Sequence, residues 1–291
     1  MLQVARLAPQ QLGESRDLVA AFLRSRLAPD GGFLNRGGES DLYYTVFGLE
    51  GLVSLQEPLP SEAVAAYLTR FRDGDDLDFV HLTSLARCWA TISRDLTAVP
   101  ARGLLARIEA CRSGDGGYAQ TPDAERGTVY AAFLAYGAYE DLRGALPDPD
   151  RVLDSLGALR ARDGGYANRA GDAHGITTVT AAAVLLQRAL GGAIDPHLGM
   201  WLLDRCHPGG GFVATPATPM PDLLSTATAL HALSALRVPL AGVLEPCLDF
   251  VDSLWTNRGG FYGNWADDSL DCEYTYYGLL ALGHLAAASP P

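Results

Sequence analysis

The sequence predicts an all-α fold, an (α/α)6 toroid of six helical hairpins with an inner and an outer ring. Three observations predict it. A glycine motif recurs at a nearly fixed period, long Ala/Leu-rich segments follow each copy, and one-sided apolar segments precede it.

The motif is Gly-Gly-aromatic. It stands at Gly31-Gly32-Phe33, Gly116-Gly117-Tyr118, Gly164-Gly165-Tyr166, Gly210-Gly211-Phe212 and Gly259-Gly260-Phe261. From the second glycine of each, the steps are 85, 48, 46 and 49 residues. The first step is nearly double, so a degenerate copy belongs near residue 75, where Asp73-Gly74-Asp75 stands. The segments that follow, such as TVTAAAVLLQRAL and TATALHALSAL, are long, free of proline and apolar nearly all round. Length and propensity make them helices buried on most faces. Before the last loop, Leu244, Cys247, Leu248, Val251, Leu254 and Trp255 recur at helical spacing, with Glu245, Asp249 and Asp252 between them. That is an outer helix with one wet face, and Leu18, Val19, Phe22 and Leu23 repeat the pattern in the first unit. Six such pairs close into a ring without exposed end repeats. No break in composition interrupts the chain, so residues 1–291 read as a single domain.

Composition narrows the function classes. The 291 residues carry 22 basic and 34 acidic side chains, a net charge of −12. Every basic residue is arginine. Without lysine there is no Walker-type phosphate loop and no Schiff-base chemistry. The negative balance argues against nucleic-acid partners. No apolar run is long enough to span a membrane and no secretory signal is visible at the N-terminus. The five cysteines are scattered and odd in number, which points to a reducing cytoplasm.

A glycine-glycine-aromatic loop, an Asp, then a Thr four residues later opening an Ala/Leu helix resembles the prenyltransferase and squalene-oxidase repeat. FLNRGGESDLYYTVFGLEGL (33–52) and FYGNWADDSLDCEYTYYGLLAL (261–282) look most like the Rab geranylgeranyltransferase β type. The family includes protein prenyltransferase β subunits and class II terpene cyclases, all α/α toroids.

The resemblance implies where to look for chemistry. Zinc prenyltransferases open one inner helix with Asp-x-Cys and the next with Asp-x-x-His-Thr, and the metal holds a substrate thiolate. Here Asp222 matches the first Asp, but Leu224 stands at the Cys position and Tyr274 at the His position. In a register shifted by one unit, Asp271-Cys272-Glu273 meets the first motif and Tyr44 takes the His position. Asp222, Asp271 and Cys272 are the metal candidates, with Zn or Mg as the ion. Asp222, Asp271, Glu273, Tyr274 and Tyr44 are the catalytic candidates. The family's diphosphate clamp implies Arg36 and Arg169, each three residues after a loop aromatic, with His174 in DAHGITT. Its lysine has no counterpart; Asp268 stands in that place beside Asp267. Asp73-Gly74-Asp75-Asp76 matches the Asp-x-Asp-Asp acid of class II terpene cyclases, although six residues separate it from Thr83.

Asp41, Asp222 and Asp271 each precede a Thr by four residues, which is also a helix-capping pattern. If all inner helices begin at one rim, these carboxylates converge there with Asp78, His81 and Glu273. Tyr43, Tyr130, Trp89 and Tyr277 belong to the inner helices and are expected to line an aromatic funnel for an apolar chain. Cys206-His207 falls at an outer-helix end and reads as structural. The expectation is an isoprenoid- or other apolar-substrate protein without the usual zinc-thiolate site. The alternatives are a non-catalytic binding or scaffold toroid, a class II cyclase-like enzyme, or a β-like subunit with a helical α-type partner.

Overall fold

The computed structural model describes residues 1–93 and 95–288. Two short turns, α1 (Leu2–Ala5) and α2 (Pro9–Leu12), precede α3 (Arg16–Ser25). A two-residue strand pair, β1 (Phe33–Leu34) and β2 (Ser40–Asp41), runs antiparallel with Phe33 opposite Asp41. Then come α4 (Leu42–Ser54), α5 (Ser61–Thr69), α6 (Phe79–Ile92), α7 (Ala101–Glu109), α8 (Val129–Asp141), α9 (Pro149–Gly157) and α10 (Thr177–Ala189). The chain finishes with α11 (Leu198–Leu203), α12 (Leu223–Ala235), α13 (Leu244–Ser253) and α14 (Cys272–Ala288). Odd-numbered helices from α3 to α13 are the expected outer helices, and even-numbered ones from α4 to α14 the inner ones. The degenerate copy at Gly74 does separate α5 from α6, and Gly74 has the positive φ of the other loops.

The chain divides into two compact units. The first comprises Met1–Pro29, Phe33–Leu59 and the chain from Pro196 onward, and so holds the hairpins α3/α4, α11/α12 and α13/α14. In it α14 packs between α12 and α4, with α1 against it. The second comprises Asp30–Gly32 and Pro60–Asp195, and holds α5/α6, α7/α8 and α9/α10. In it α8 packs between α6 and α10.

The burial patterns follow the sequence. In α12, Leu223, Ala227, Leu230 and Leu233 are joined in the interior by Ser225, Thr226 and Thr228. In α13, Leu244, Cys247, Phe250 and Val251 are buried while Glu245 and Asp249 face water.

The glycine loops have one construction. The loop aromatic bridges back to the end of the outer helix, as at Leu27–Phe33, Arg160–Tyr166 and Trp255–Phe261. Its N–H donates to a threonine Oγ1 in the first turn of the inner helix: Phe33 to Thr45, Tyr166 to Thr180 and Phe212 to Thr226, each at 2.9 Å. Thr45 and Thr226 then donate to the carbonyls of Asp41 and Asp222 at 2.6 and 2.7 Å. The Asp-to-Thr spacing of four is thus one helical turn that clips loop to helix. The first glycine of the pair is required where the loop presses on an outer helix. A Cβ on Gly210 (φ +86°) would lie 1.8 Å from the Pro246 carbonyl oxygen, and one on Gly259 (φ +87°) 2.1 Å from that of Leu18.

Candidate active site

The first unit gathers most of the catalytic candidates at the N-terminal ends of α4, α12 and α14. Each of these helices starts at an aspartate whose side chain accepts the N–H three residues on. Asp41 accepts from Tyr44 (3.1 Å), Asp222 from Ser225 (2.7 Å) and Asp271 from Tyr274 (2.8 Å). The caps satisfy otherwise open helix N–H groups and fix where the next residues point.

Arg36, in the turn between β1 and β2, reaches this rim. Its Nε donates to Asp271 Oδ2 at 2.6 Å and its Nη2 to Asp267 Oδ2 at 2.7 Å. The guanidinium carbon sits 5.3 Å from the centre of the Tyr274 ring. Asp271 is fully buried, whereas the Arg36 side chain is 37% exposed. Burial opposes the charge on both Arg36 and Asp267, but their mutual hydrogen bonds prevail: Asp267 is held below its usual range and Arg36 above its own. The expected open arginine for a diphosphate is therefore closed by two carboxylates. Asp267 is the partner; Asp268, the residue at the lysine position, instead accepts from the Ser269 hydroxyl.

Glu273 lies in the first turn of α14 and is partly buried. Tyr43 donates its hydroxyl to Glu273 Oε1 at 2.6 Å. Burial pushes the Glu273 carboxyl up to about 7; Asp271 adds to the rise, while Tyr43 and Arg36 work against it. Burial likewise lifts Tyr44 and Tyr274 to about 12, helped at Tyr44 by Asp271 and Glu273 and at Tyr274 by Glu273 and Asp222. Asp222 is also raised by burial, against the pull of the Ser225 N–H and hydroxyl. The rim thus holds a carboxyl that exchanges its proton near neutrality beside two protonated phenols. Further along the same helices, Tyr43 contacts Phe47 at 4.9 Å between centroids, and Phe47 contacts Tyr276 and Tyr277 at 5.8 and 5.4 Å.

The three metal candidates do not form a cluster. Asp222 is engaged with Ser225, Asp271 with Arg36 and Tyr274, and Cys272 is buried with its thiol pushed above its usual range by burial. Among the described residues, no three of His, Cys, Asp and Glu come together as a group able to hold a metal ion. Asp271 and Glu273 engage different partners, Arg36 and Tyr43.

The remaining candidates lie in the second unit. His81 Nδ1 is 2.9 Å from Asp78, the cap of α6. Burial opposes the charge on Asp78, but hydrogen bonds from His81 hold it below its usual range. Trp89 is on α6, with an indole N–H that has no hydrogen-bond partner. Tyr130, in the first turn of α8, donates its backbone N–H to Asn168 at 3.2 Å. Arg169 is 86% exposed and lies 3.9 Å from Asp172; His174 lies 3.6 Å from Asp163. The Asp-x-Asp-Asp match lies in the turn before α6. Asp73 and Asp75 both pair with Arg107 on the outer helix α7, and the Asp75 side chain is 59% exposed. A cyclase acid needs a sequestered carboxyl, and here both carboxylates are partly exposed and paired. At Cys206-His207, His207 Nδ1 accepts the Gly209 N–H at 3.0 Å.

One pair escaped the sequence reading. His231 on α12 and His284 on α14 meet at 2.9 Å, nitrogen to nitrogen. Burial lowers them to about 3 and about 4. Their only sequence signal is a histidine inside an otherwise apolar inner helix.

The fold is shared with proteins of different chemistry. The chain is similar to a type II terpene cyclase, MstE from Scytonema, in complex with geranylgeranyl dihydroxybenzoate (TM-score 0.65, 15% identity, 97% of this chain and 98% of that one). It is similar to Candida albicans protein geranylgeranyltransferase-I complexed with GGPP (TM-score 0.62, 14% identity, 93% and 90%). It also resembles an α-1,6-mannanase from Salegentibacter (TM-score 0.61, 14% identity, 95% and 99%). At such identities the likeness concerns the fold and not the chemistry. No curated protein matches the chain. Among the described residues, no helix is long and apolar enough to cross a membrane. The model of the prenyltransferase alpha-alpha toroid domain matches residues 7–81, 71–205 and 196–289, nearly the whole length, and the chain belongs to that family.

Proposed function

We propose that this toroid is an enzyme that binds an isoprenoid or similarly apolar substrate and moves a proton on it, with Glu273 as the exchanging group. The observation that carries this reading is the Tyr43–Glu273 pair: a buried carboxyl near pKa 7 in reach of a phenol, next to a run of aromatic side chains. In this reading Tyr43 orients the carboxyl, and Asp222, Tyr44 and Tyr274 are polar groups around it. Tyr43 and Tyr277 contact the substrate in this reading. Arg36 and Asp41 hold the rim in shape.

Zinc-thiolate transfer does not fit these residues. Leu224 has no donor atom, Tyr274 is a protonated phenol, and Cys272 is buried as a thiol, so no step runs through a metal. Diphosphate recognition fits poorly too, because the Arg36 charge is already matched by Asp267 and Asp271.

The test is binding followed by turnover. Geranylgeraniol is expected to bind at micromolar concentration, and geranylgeranyl diphosphate no more tightly. Glu273→Gln is expected to keep binding and lose turnover of an active substrate by about 10²-fold or more. No binding of either probe at millimolar concentration overturns the reading. A second reading, a scaffold toroid without catalysis, draws on the closed Arg36 salt bridge; it predicts a stable complex with a helical α-type partner and no dependence on Glu273. The five free thiols accord with a cytoplasmic setting.

A further inference from the structure

The first unit holds a second polar pair, on two of the rim's inner helices but at their far end. His231 Nδ1 and His284 Nε2 meet at 2.9 Å, with ring centres 5.0 Å apart. One ring donates its N–H to the lone pair of the other. Among the described residues neither ring has another hydrogen-bond partner.

The helical register fixes where this pair lies. On α14, Glu273, Tyr277 and His284 stand at i, i+4 and i+11, which is one face of an α-helix. His284 therefore lies on the side that carries Glu273, about three turns or roughly 16 Å further along. The stretch between is apolar, with Tyr277 against Phe47 and Leu280 fully buried. On α12 every residue from Leu223 to Leu233 is buried except Leu224 and His231, which are seven apart and share a face. His284 is 2% exposed and has His231 against its Nε2, while His231 itself is partly open. With Nδ1 engaged, the nitrogen that His231 has left to offer is Nε2.

We propose that His231 binds a hydroxyl group at the far end of a long apolar substrate whose reacting end lies at Glu273. The inference rests on the reading of Glu273 given above and adds a substrate class to it, an apolar chain with a neutral oxygen roughly 16 Å from the reacting end. The chemistry of the pair selects a hydroxyl. A neutral imidazole has one N–H and one lone pair. If His284 donates within the pair, His231 carries its proton on Nε2 and presents a donor. If His231 donates, its Nε2 presents a lone pair. A hydroxyl satisfies either arrangement, whereas a carbonyl satisfies only the first and an ammonium only the second. An anion is disfavoured because burial holds both rings well below the ordinary imidazole value, and so uncharged at neutral pH. A plain hydrocarbon end that displaces water from Nε2 leaves that nitrogen without a partner.

The test compares geranylgeraniol with the same alcohol hydroxylated at its terminal methyl group, by titration calorimetry on the full chain. The diol is expected to bind about ten-fold more tightly, the worth of one added hydrogen bond. In His231→Phe, which keeps a flat ring at the position, the two ligands are expected to bind equally. A thermal melt shows whether that variant folds. The native protein supplies a second measurement that needs no variant: with isotope-labelled histidine, the diol shifts the ring-nitrogen resonances of His231 and geranylgeraniol leaves them in place. Equal affinity of the native protein for the two ligands overturns the proposal and leaves the Glu273 reading standing. So does an advantage of the diol that survives in folded His231→Phe, or a diol complex in which the His231 nitrogens do not move. If neither ligand binds, the Glu273 reading falls and this inference falls with it.

Discussion

Arg36 and Asp271 are 235 residues apart in the chain and meet at 2.6 Å, an exposed guanidinium held against a fully buried carboxylate. The pair ties the first hairpin's loop to the start of α14. It also removes from Arg36 the free positive charge that a diphosphate site needs.

Removing one side of that pair leaves the other stranded. Arg36→Ala is expected to destabilise the protein by about 2 kcal/mol, less than for a fully buried pair because water reaches the guanidinium. Urea unfolding measures it. A change below a few tenths of a kcal/mol shows that the helix cap alone satisfies Asp271.

Glu273 sets a pH dependence of definite sign. Its carboxyl is raised from the ordinary 4.5 to about 7, so the fold favours the protonated form. The contribution to stability is complete below pH 4.5 and is lost as pH rises through 7. Glu273→Gln, which mimics the neutral form, is expected to be stabilised relative to wild type on the order of 2 kcal/mol more at pH 8 than at pH 4. Equal differences at both pH values would show that the carboxyl titrates normally.

The histidine pair works in the opposite direction. His231 and His284 fall from 6.5 to about 3 and about 4, so the unfolded chain binds more protons between those values. Their contribution is complete above pH 6.5 and is lost as pH falls toward 4. Each adds up to about 1.4 kcal/mol per pH unit to the acid limb. Replacing both with leucine should flatten the limb over this range; an unchanged slope would assign acid unfolding to other groups.

Two glycine substitutions separate the loops from the helices. Gly210→Ala puts a Cβ into a carbonyl at a positive φ and should cost about 3 kcal/mol or prevent folding. Gly137→Ala, inside α8 with nothing within 4 Å, should stabilise by about 0.5–1 kcal/mol. Thermal melts distinguish them, and a neutral Gly210→Ala would show that the loop can lift away from α13.

The Asp75→Asn variant addresses the Asp-x-Asp-Asp match. Asp75 is solvent-facing and paired with Arg107, so turnover of any substrate should be unchanged within about two-fold. A loss of 10²-fold or more would restore the acid role that this turn otherwise denies it.

The sequence by itself determined the repeat, the helical hairpins and the order of inner and outer helices. These depend on local spacing. The glycine period, the Asp-to-Thr turn and the side on which apolar residues recur are all set within one hairpin, and the degenerate turn at Gly74 was legible for the same reason. It also determined that Asp41, Asp222 and Asp271 open inner helices, because capping is a contact across three residues. Only the tertiary structure decided what those openings do. Whether Arg36 is an open anion contact or half of a salt bridge depends on Asp267 and Asp271, which no local pattern connects to it. Burial raises the proton affinity of Glu273, and Tyr43, 230 residues away, works against the rise. His231 and His284 become a pair only when their helices pack. Protonation depends on the density of apolar atoms and charges in three dimensions, and the order of residues in the chain carries that only indirectly.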